Sequence, residues 1–199
     1  MAEAFAALIG LGNPGPEYVD SRHNAGFWFV ERAAERFGCP WRHEPKLSAI
    51  AGRACVEGVN IWLIKPLTFM NASGTTVRSL CRYYRLAITQ VLVVHDELDL
   101  APGVVRLKRG GGAGGHNGLS DIIAEMGADF WRLRLGIGRP APRRDLVPYV
   151  LGRPPQSERE AIEAALLRGL DMLPLIVKGE SERAMNLLHR TDGEASHGA

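Results

Sequence analysis

The run Val91-Leu-Val-Val94 is short and wholly apolar, which is typical of a strand buried on both faces of a sheet. On either side of it, apolar runs that end in Gly or Pro alternate with stretches whose apolar residues recur at helical spacing. The clearest such pair is the strand predicted from Phe5 to Leu11 and the helix predicted over 23–38. Two further runs, 49–56 and 60–64, are close enough to pair as neighbouring strands. The pattern predicts a layered α/β domain with a mixed sheet.

The C-terminal part of the chain predicts one more helix and a tail. Apolar residues from Ile162 to Leu173 recur at helical spacing, and we expect Pro174 to kink or end this helix. We predict a single domain over 1–190, followed by a disordered tail over 191–199.

Composition limits the class of protein. The 199 residues are 46% hydrophobic and 23% charged, close to the globular average, which excludes a wholly disordered or collagen-like chain. No apolar run reaches about 18 residues, so we predict no transmembrane helix and no membrane partner. The N-terminus lacks the basic segment of a secretory signal. The three cysteines, Cys39, Cys55 and Cys81, are far apart in the sequence, and no CxxC motif occurs. A disulfide framework is therefore not expected, which favours a reducing cytoplasm.

Charge is distributed unevenly, although the net charge is only +2. Residues 104–153 contain nine Lys or Arg and four Asp or Glu, whereas 156–199 contain five and eight. A basic middle and an acidic C-terminal part indicate that one face meets an anionic partner. An ordinary solvated surface would carry the same charges, so this pattern alone leaves both interpretations open.

Polar side chains follow several predicted strands at the point where each strand ends. Asn13 follows the first strand, Asn71 follows the strand at 60–64, and Asp96 follows the apolar strand. Asn117 opens a predicted helix after a glycine-rich loop. Ligands of open α/β sheets bind outside the carboxyl ends of the strands, so we expect these side chains to share one crevice. For each Asn, capping a helix or holding a turn is the alternative.

His23 stands at the start of a predicted helix and is a candidate general base, because neutral imidazole suits that role near pH 7. Such a base works best when a carboxylate holds its other nitrogen, and Asp96 is the carboxylate placed at a strand exit. No Ser lies in GxSxG and no Cys lies in an electropositive motif. Attack by an activated water is therefore the simplest reaction. In the alternative, His23 caps its helix and Asp96 shapes a turn.

Two other kinds of site fit part of the sequence. Gly10-Leu-Gly-Asn-Pro-Gly15 matches GxGxxG, but Pro14, Gly15 and Pro16 prevent the helix that should begin inside the motif of a dinucleotide site. A metal site has enough candidate ligands, but no HxxxH or HxH spacing occurs, and amides are poor zinc ligands. Those candidate ligands are His23, His95, Asp96, Asp99 and His116.

Six blocks, in order across most of the chain, resemble the bacterial peptidyl-tRNA hydrolase family. They are Gly10–Gly15 (GLGNPG), Ser21–Gly26 (SRHNAG), Lys65–Asn71 (KPLTFMN), His95–Gly103 (HDELDLAPG), Gly110–Gly118 (GGGAGGHNG) and Arg132–Gly138 (RLRLGIG). Several blocks in register are far more specific than any single one. The resemblance implies a monomeric α/β enzyme, with a single-domain mixed β-sheet sandwiched between helices.

The resemblance also implies hydrolysis of the ester between a peptide and the 3′-terminal ribose of tRNA, which recycles prematurely released peptidyl-tRNA. It implies no metal and no cofactor. His23 would activate water, and Asp96 would hold His23 in its basic form. The positions implied to contact the ester, the peptide and the 3′ end are Asn13, Tyr18, Phe69, Met70, Asn71 and Asn117. Those implied to contact tRNA phosphate are Lys108 and Arg134.

Three positions depart from the family pattern. Ser21 stands where Thr is usual, and Ala113 where a bulkier residue is common. Ser120 stands where Lys or Arg is usual, so one positive charge for tRNA binding is missing. Arg109 is the candidate that would supply a positive charge instead. A non-catalytic RNA-binding relative would share the basic face, but the intact His23, Asp96 and asparagines favour the enzyme.

Overall fold

Seven strands form one mixed sheet in the order β2-β3-β4-β1-β5-β7-β6. This computed structural model describes the backbone of residues 4–194 and the side chains of residues 4–190. The strands are β1 (Ala7–Gly10), β2 (Arg42–Glu44), β3 (Ala49–Val56), β4 (Val59–Pro66), β5 (Val91–Glu97), β6 (Val105–Arg109) and β7 (Trp131–Gly136).

The four central strands, β4, β1, β5 and β7, are parallel to one another, and the outer strands pair antiparallel. The carboxyl ends of the central strands therefore lie at one edge of the sheet. Val91 to Val94 are all buried, as the apolar run predicts. The prediction of a mixed sheet is confirmed.

Helices cover both faces of the sheet. They are α1 (Ala25–Arg36), α2 (Ser73–Tyr84), α3 (Asn117–Met126), α4 (Leu146–Leu151), α5 (Gln156–Val177) and α6 (Ser181–Glu194). One apolar core contains side chains of α1, α5 and α6, and the other contains side chains of α2 and α3. Alternate residues of β1 enter the two cores, with Leu8 in the first and Ile9 in the second. The sheet is thus sandwiched between helices, as predicted.

Glycines allow α1 to begin directly against the ends of β1 and β5. A Cβ at Gly10 would overlap the carbonyl of Gly26, and a Cβ at Gly26 would overlap the backbone at Leu11 and Val94. At Gly12 it would lie 2.6 Å from the ring of Phe27. Gly10 and Gly12, the first two glycines of the GxGxxG match, therefore serve close packing of a helix on a strand. This packing places the residues just before α1 over the carboxyl edge of the sheet.

The C-terminal part differs from the sequence prediction in two ways. Pro174 does not end α5, because the helix continues to Val177. Proline has no backbone N–H to donate to the preceding turn, and close to the helix end the loss of this one hydrogen bond is tolerated. The alternative, a kink at Pro174, stays a prediction. Helix α6 reaches Glu194, so the predicted tail over 191–199 is wrong for its first four residues. Residues 195–199 lie outside the described part.

The sequence predicts no transmembrane helix. Among the described residues, no helix combines the length and the apolar character needed to cross a bilayer.

Candidate active site

His23 and Asp96 meet where the chain enters α1 above the end of β5. His23 lies in a short 3-10 turn, Arg22–Asn24, and Asp96 is the second-last residue of β5. Nδ1 of His23 is 2.9 Å from Oδ1 and 3.0 Å from Oδ2 of Asp96. His23 is 8% exposed and Asp96 is 3% exposed. The predicted contact between these two side chains is present. Strand β5 extends three residues beyond the apolar run at 91–94, so Asp96 lies within the strand and not after it.

The protonation of this pair follows from its surroundings. Burial by itself would raise the pKa of Asp96, but interactions with His23 and His116 hold that pKa far below its usual range. An ionised carboxylate only accepts hydrogen bonds, so we assign the hydrogen to Nδ1 of His23 and the lone pair to Nε2. Burial would lower the pKa of His23, but the charge and hydrogen bond of Asp96 raise it above the ordinary value. His23 therefore has the arrangement of a general base.

His116 is a second imidazole bound to the same carboxylate. It caps α3, and its Nδ1 accepts the backbone N–H of Leu119 at 3.3 Å. Its Nε2 must then carry the hydrogen, which it donates to Oδ1 of Asp96 at 2.9 Å. We call His23, Asp96 and His116 the catalytic network. Sequence reasoning considered His116 only as a metal ligand; its place directly before a predicted helix was the available signal for the cap.

The same three side chains are the candidate metal ligands. One ligand atom from each of His23, Asp96 and His116 lies within 4.8 Å of the other two. A metal at Nε2 of His116 would require loss of the hydrogen that the α3 cap assigns to that nitrogen. The donor chemistry therefore favours the hydrogen-bonded network. Asp99 pairs with Arg139 at 2.7 Å, apart from this group.

His95 serves the strand and not the network. Its Nδ1 donates to the backbone carbonyl of Asp96 at 2.7 Å, and the side chain is 1% exposed. Burial, followed by repulsion from His116, lowers the pKa of His95 to about 3. His95 is therefore neutral near pH 7 and adds no positive charge beside Asp96.

The catalytic network lies at the base of a groove between α4 and the glycine-rich loop. One wall consists of apolar side chains of α4, including Val147, which is 63% exposed. The other wall consists of residues 113–117, and Asn117 is exposed there. We call this the catalytic groove. It brings His23, Asp96 and Asn117 together, but Asn13 and Asn71 are not among its lining residues, so the single crevice predicted at the strand ends is only partly formed.

Arg22 ties α4 to the residues beside His23, a role that the sequence did not indicate. Its guanidinium donates to the carbonyls of Tyr149 at 3.2 Å and Gly152 at 3.4 Å. It also stacks 4.1 Å from the ring centre of Tyr149 and pairs with Glu158 at 2.8 Å. These contacts hold α4, the apolar wall of the groove, next to His23.

Asn13 is buried, and most of its polar groups are already bonded. Its Oδ1 accepts the backbone N–H of Met70 at 2.7 Å, and its backbone exchanges two hydrogen bonds with the side chain of Asn24. The Nδ2 group of Asn13 makes no hydrogen bond within the described residues, and Asn13 lines a second pocket with Pro14 and Asn24, not the catalytic groove. Met70 is 4% exposed and packs in the core, so the expected groove contact of its side chain is not present.

The loops that follow β1 and β4 touch through two aromatic rings. Tyr18 and Phe69 contact edge to face, with their centres 6.4 Å apart. Phe69 is 59% exposed, which is unusual for so large an apolar side chain. Asn71 is also exposed, in the turn Met70–Ala72. These side chains are open to a substrate at the carboxyl edge of the sheet.

The two residues predicted to contact phosphate line one cleft on the far side of the glycine-rich loop. Lys108 is exposed, and Arg134 pairs with Glu97 at 2.9 Å. We call this the basic cleft. Arg109 is bound to Asp129 at 2.7 and 2.9 Å, so it does not simply replace the missing charge at Ser120.

Comparison with known proteins gives one consistent family. The sequence model of the family "Peptidyl-tRNA hydrolase" matches residues 7–196. The peptidyl-tRNA hydrolase of Cupriavidus pinatubonensis is 50% identical over 191 residues, which cover 92% of this chain and 96% of that protein. That of Acinetobacter baumannii is 46% identical over 185 residues, which cover 93% and 96%.

Solved structures agree with the sequence relatives. The crystal structure of a point mutant of the Acinetobacter baumannii peptidyl-tRNA hydrolase superposes with a TM-score of 0.92 at 44% identity. The match covers 94% of this chain and 96% of that one. Since sequence model, relatives and fold coincide over nearly the whole length, this chain belongs to the peptidyl-tRNA hydrolase family.

Proposed function

We propose that this hydrolase cleaves the peptide–ribose ester of peptidyl-tRNA by attack of a water molecule that His23 deprotonates. The observation that carries the proposal is the network itself. His23 presents an unprotonated Nε2 to the catalytic groove while the buried carboxylate of Asp96 holds its other nitrogen at 2.9 Å. An ester has a good leaving group, so a base and a polarised carbonyl are sufficient.

The steps balance without a cofactor or metal. Water oxygen bonds to the ester carbonyl carbon as Nε2 of His23 takes one proton, and the carbonyl oxygen becomes an oxyanion. The carbon–ribose oxygen bond then breaks, and His23 returns the proton to the ribose oxygen. The products are tRNA with a free 3′-terminal hydroxyl and the peptide acid, which loses the second proton of the water to solvent and becomes a carboxylate.

Amide side chains at the groove suit the developing charge and the peptide backbone. A preorganised amide donor to an oxyanion typically contributes ~3 kcal/mol to the transition state. Asn117 at the groove opening is the donor best placed for this work. Asn13 lines a second pocket, where its Nδ2 is available to the peptide. Asn71, Tyr18 and Phe69 form the surrounding surface for the peptide and the 3′ end. Backbone contacts of this type accept any peptide sequence.

Recognition of tRNA requires a charge-based surface, because the enzyme must accept every tRNA. Lys108 and Arg134 in the basic cleft supply cations beside the glycine-rich loop that bounds the catalytic groove. Phosphate contacts position a nucleic acid without reading its sequence. His23, Asp96 and Asn117 all come from one chain, which supports a monomer with one catalytic domain. We also propose that it acts in the cytoplasm, which the three free, widely spaced cysteines favour.

The deciding experiment is ester release from N-acetyl-aminoacyl-tRNA. We expect His23→Ala to lower kcat by ~10²–10⁴-fold, because it removes the base. The variant should bind tRNA and unfold thermally like the wild type. The control is His43→Ala, an exposed histidine in β2, which should keep full activity.

Two results would contradict the proposal. Wild-type turnover by folded His23→Ala would remove His23 from water activation, and strong inhibition by EDTA would favour the metal alternative. A wild-type protein that binds tRNA but releases no peptide would instead be a non-catalytic RNA-binding relative.

A further inference from the structure

Arg132 is the most deeply buried arginine of the described chain, at 2% exposure in β7. Its two terminal nitrogens donate to the carbonyls of Gly112 at 2.6 Å and Gly111 at 2.5 Å. The guanidinium also lies 4.5 Å from the ring centre of Phe130. Among the described side chains no carboxylate lies within ion-pair distance of it. Burial of an unpaired guanidinium is costly, so a specific backbone contact must compensate.

The segment that Arg132 holds is intrinsically loose. The glycine-rich loop contains Gly110, Gly111, Gly114 and Gly115 at positive φ angles of 67°, 94°, 58° and 81°. Glycine loses more backbone freedom on ordering than any other residue. The loop must also travel far, because β6 ends opposite Trp131, at the amino edge of the parallel strands. A chain of this type needs an external contact to adopt one path.

The far end of the same loop carries catalytic groups. His116, which follows directly, donates to Asp96, and Asn117 opens onto the catalytic groove. The near side of the loop, at residues 112–114, lines the basic cleft together with Lys108 and Arg134. Arg132 therefore holds the segment that separates tRNA phosphate binding from the catalytic network.

We propose that Arg132 is a positioning residue, whose forked contact with the glycine-rich loop sets His116 against Asp96 and Asn117 at the groove. This inference rests on the proposed function. Only a planar guanidinium reaches both carbonyls at once, so lysine retains the charge but not the fork.

The test compares Arg132→Met and Arg132→Lys on two substrates, full-length N-acetyl-aminoacyl-tRNA and the same ester on a short 3′ fragment. A misplaced catalytic group costs up to ~10²-fold, so we expect Arg132→Met to lower kcat by ~10–100-fold on both substrates. Arg132→Lys should recover only part of this loss. Arg168→Met is the matched control, since Arg168 also donates to a glycine carbonyl, that of Gly103, away from the groove.

A double-mutant cycle with His116→Ala identifies the route of the effect. If Arg132 acts through the loop, its loss adds little once His116 is gone. Fully additive losses would overturn the proposal. So would a defect restricted to KM for full-length tRNA, which would make Arg132 only a source of positive charge. If Arg132→Met does not fold, Arg132→Lys decides on the same criteria.

Hydrogen exchange separates this inference from the proposed function. The amide of His116 donates to Ala113 and that of Gly110 to Phe130, so both report on the loop. We expect Arg132→Lys to accelerate exchange at these amides, and unchanged protection would contradict the positioning role. This readout remains valid even if the wild-type protein releases no peptide, a result that would refute the proposed function alone.

Discussion

The catalytic network and the basic cleft lie on either side of one glycine-rich loop, but they are built differently. In the network, three buried side chains meet at 2.9–3.0 Å. In the cleft, Lys108 is exposed and Arg134 shares its charge with Glu97. Proton transfer requires fixed geometry, whereas solvated charges attract phosphate over several ångströms. Changes in the network should therefore affect kcat strongly, and changes in the cleft should affect KM mildly.

Asp96→Asn should have the largest effect among changes that leave the base in place. The asparagine side chain still has one oxygen that can accept from His116. It loses the negative charge of Asp96, and Nδ1 of His23 then faces an uncharged oxygen or an amide donor. We expect kcat to fall by ~10²-fold or less, a smaller loss than that of His23→Ala. Single-turnover hydrolysis measures it. An effect on KM alone would show that Asp96 does not act through the base.

Asn13→Asp should have an intermediate effect and alter selectivity. The substitution keeps the acceptor for the backbone N–H of Met70 but replaces the free Nδ2 donor with an anionic oxygen. The ratio of kcat/KM for N-acetyl-aminoacyl-tRNA over free aminoacyl-tRNA should fall by ~10-fold, because the anion repels the amide carbonyl and attracts the ammonium group. Asn13→Ala should lower the ratio less. A reduced rate with an unchanged ratio would make Asn13 a positioning residue only.

Lys108→Ala should have the smallest effect and act mainly on KM. Loss of one phosphate contact should reduce the salt dependence of KM for full-length tRNA by roughly one unit of logarithmic slope. Arg134→Ala should resemble it, with a smaller change because Glu97 already neutralises part of that charge. Substrates with a short 3′ fragment are the internal control. Equal losses on both substrates would place these residues away from the phosphate path.

Local signals in the sequence were sufficient for a mixed α/β sheet and for the central pair, but they missed the edge strand β2 and did not give the strand order. The buried strand at 91–94 follows from its apolar run, and the helix before residue 38 follows from periodicity. A helix start located His23, and a strand exit located Asp96. The family resemblance supplied the more specific roles of Asn13, Asn117 and Lys108. These roles stay predictions, and the geometry around Asn13 and Asn117 is compatible with them.

The contacts that support the site were not predictable from the sequence. Arg22 meets Glu158 across 136 positions, and Arg132 meets Gly111 across 21, and neither spacing follows a local period. The Pro- and Arg-rich stretch over 138–148 has the composition of a loop, yet its last residues begin α4. The sequence did not predict α6, because its mixed composition gives no clear helical pattern. Packing against the sheet, where Leu188 is buried, stabilises this helix.

The pH dependence of kcat/KM tests the central claim most directly, because it reports the charge state of the base in the free enzyme. Asp96 raises the pKa of His23, and protonated His23 cannot accept a proton. Activity should therefore rise with pH through a pKa above the ordinary imidazole value of about 6.5. In Asp96→Asn the remaining effect of burial should move this limb to lower pH. An acidic limb at or below the ordinary value in the wild type, or one unmoved by Asp96→Asn, would contradict the account.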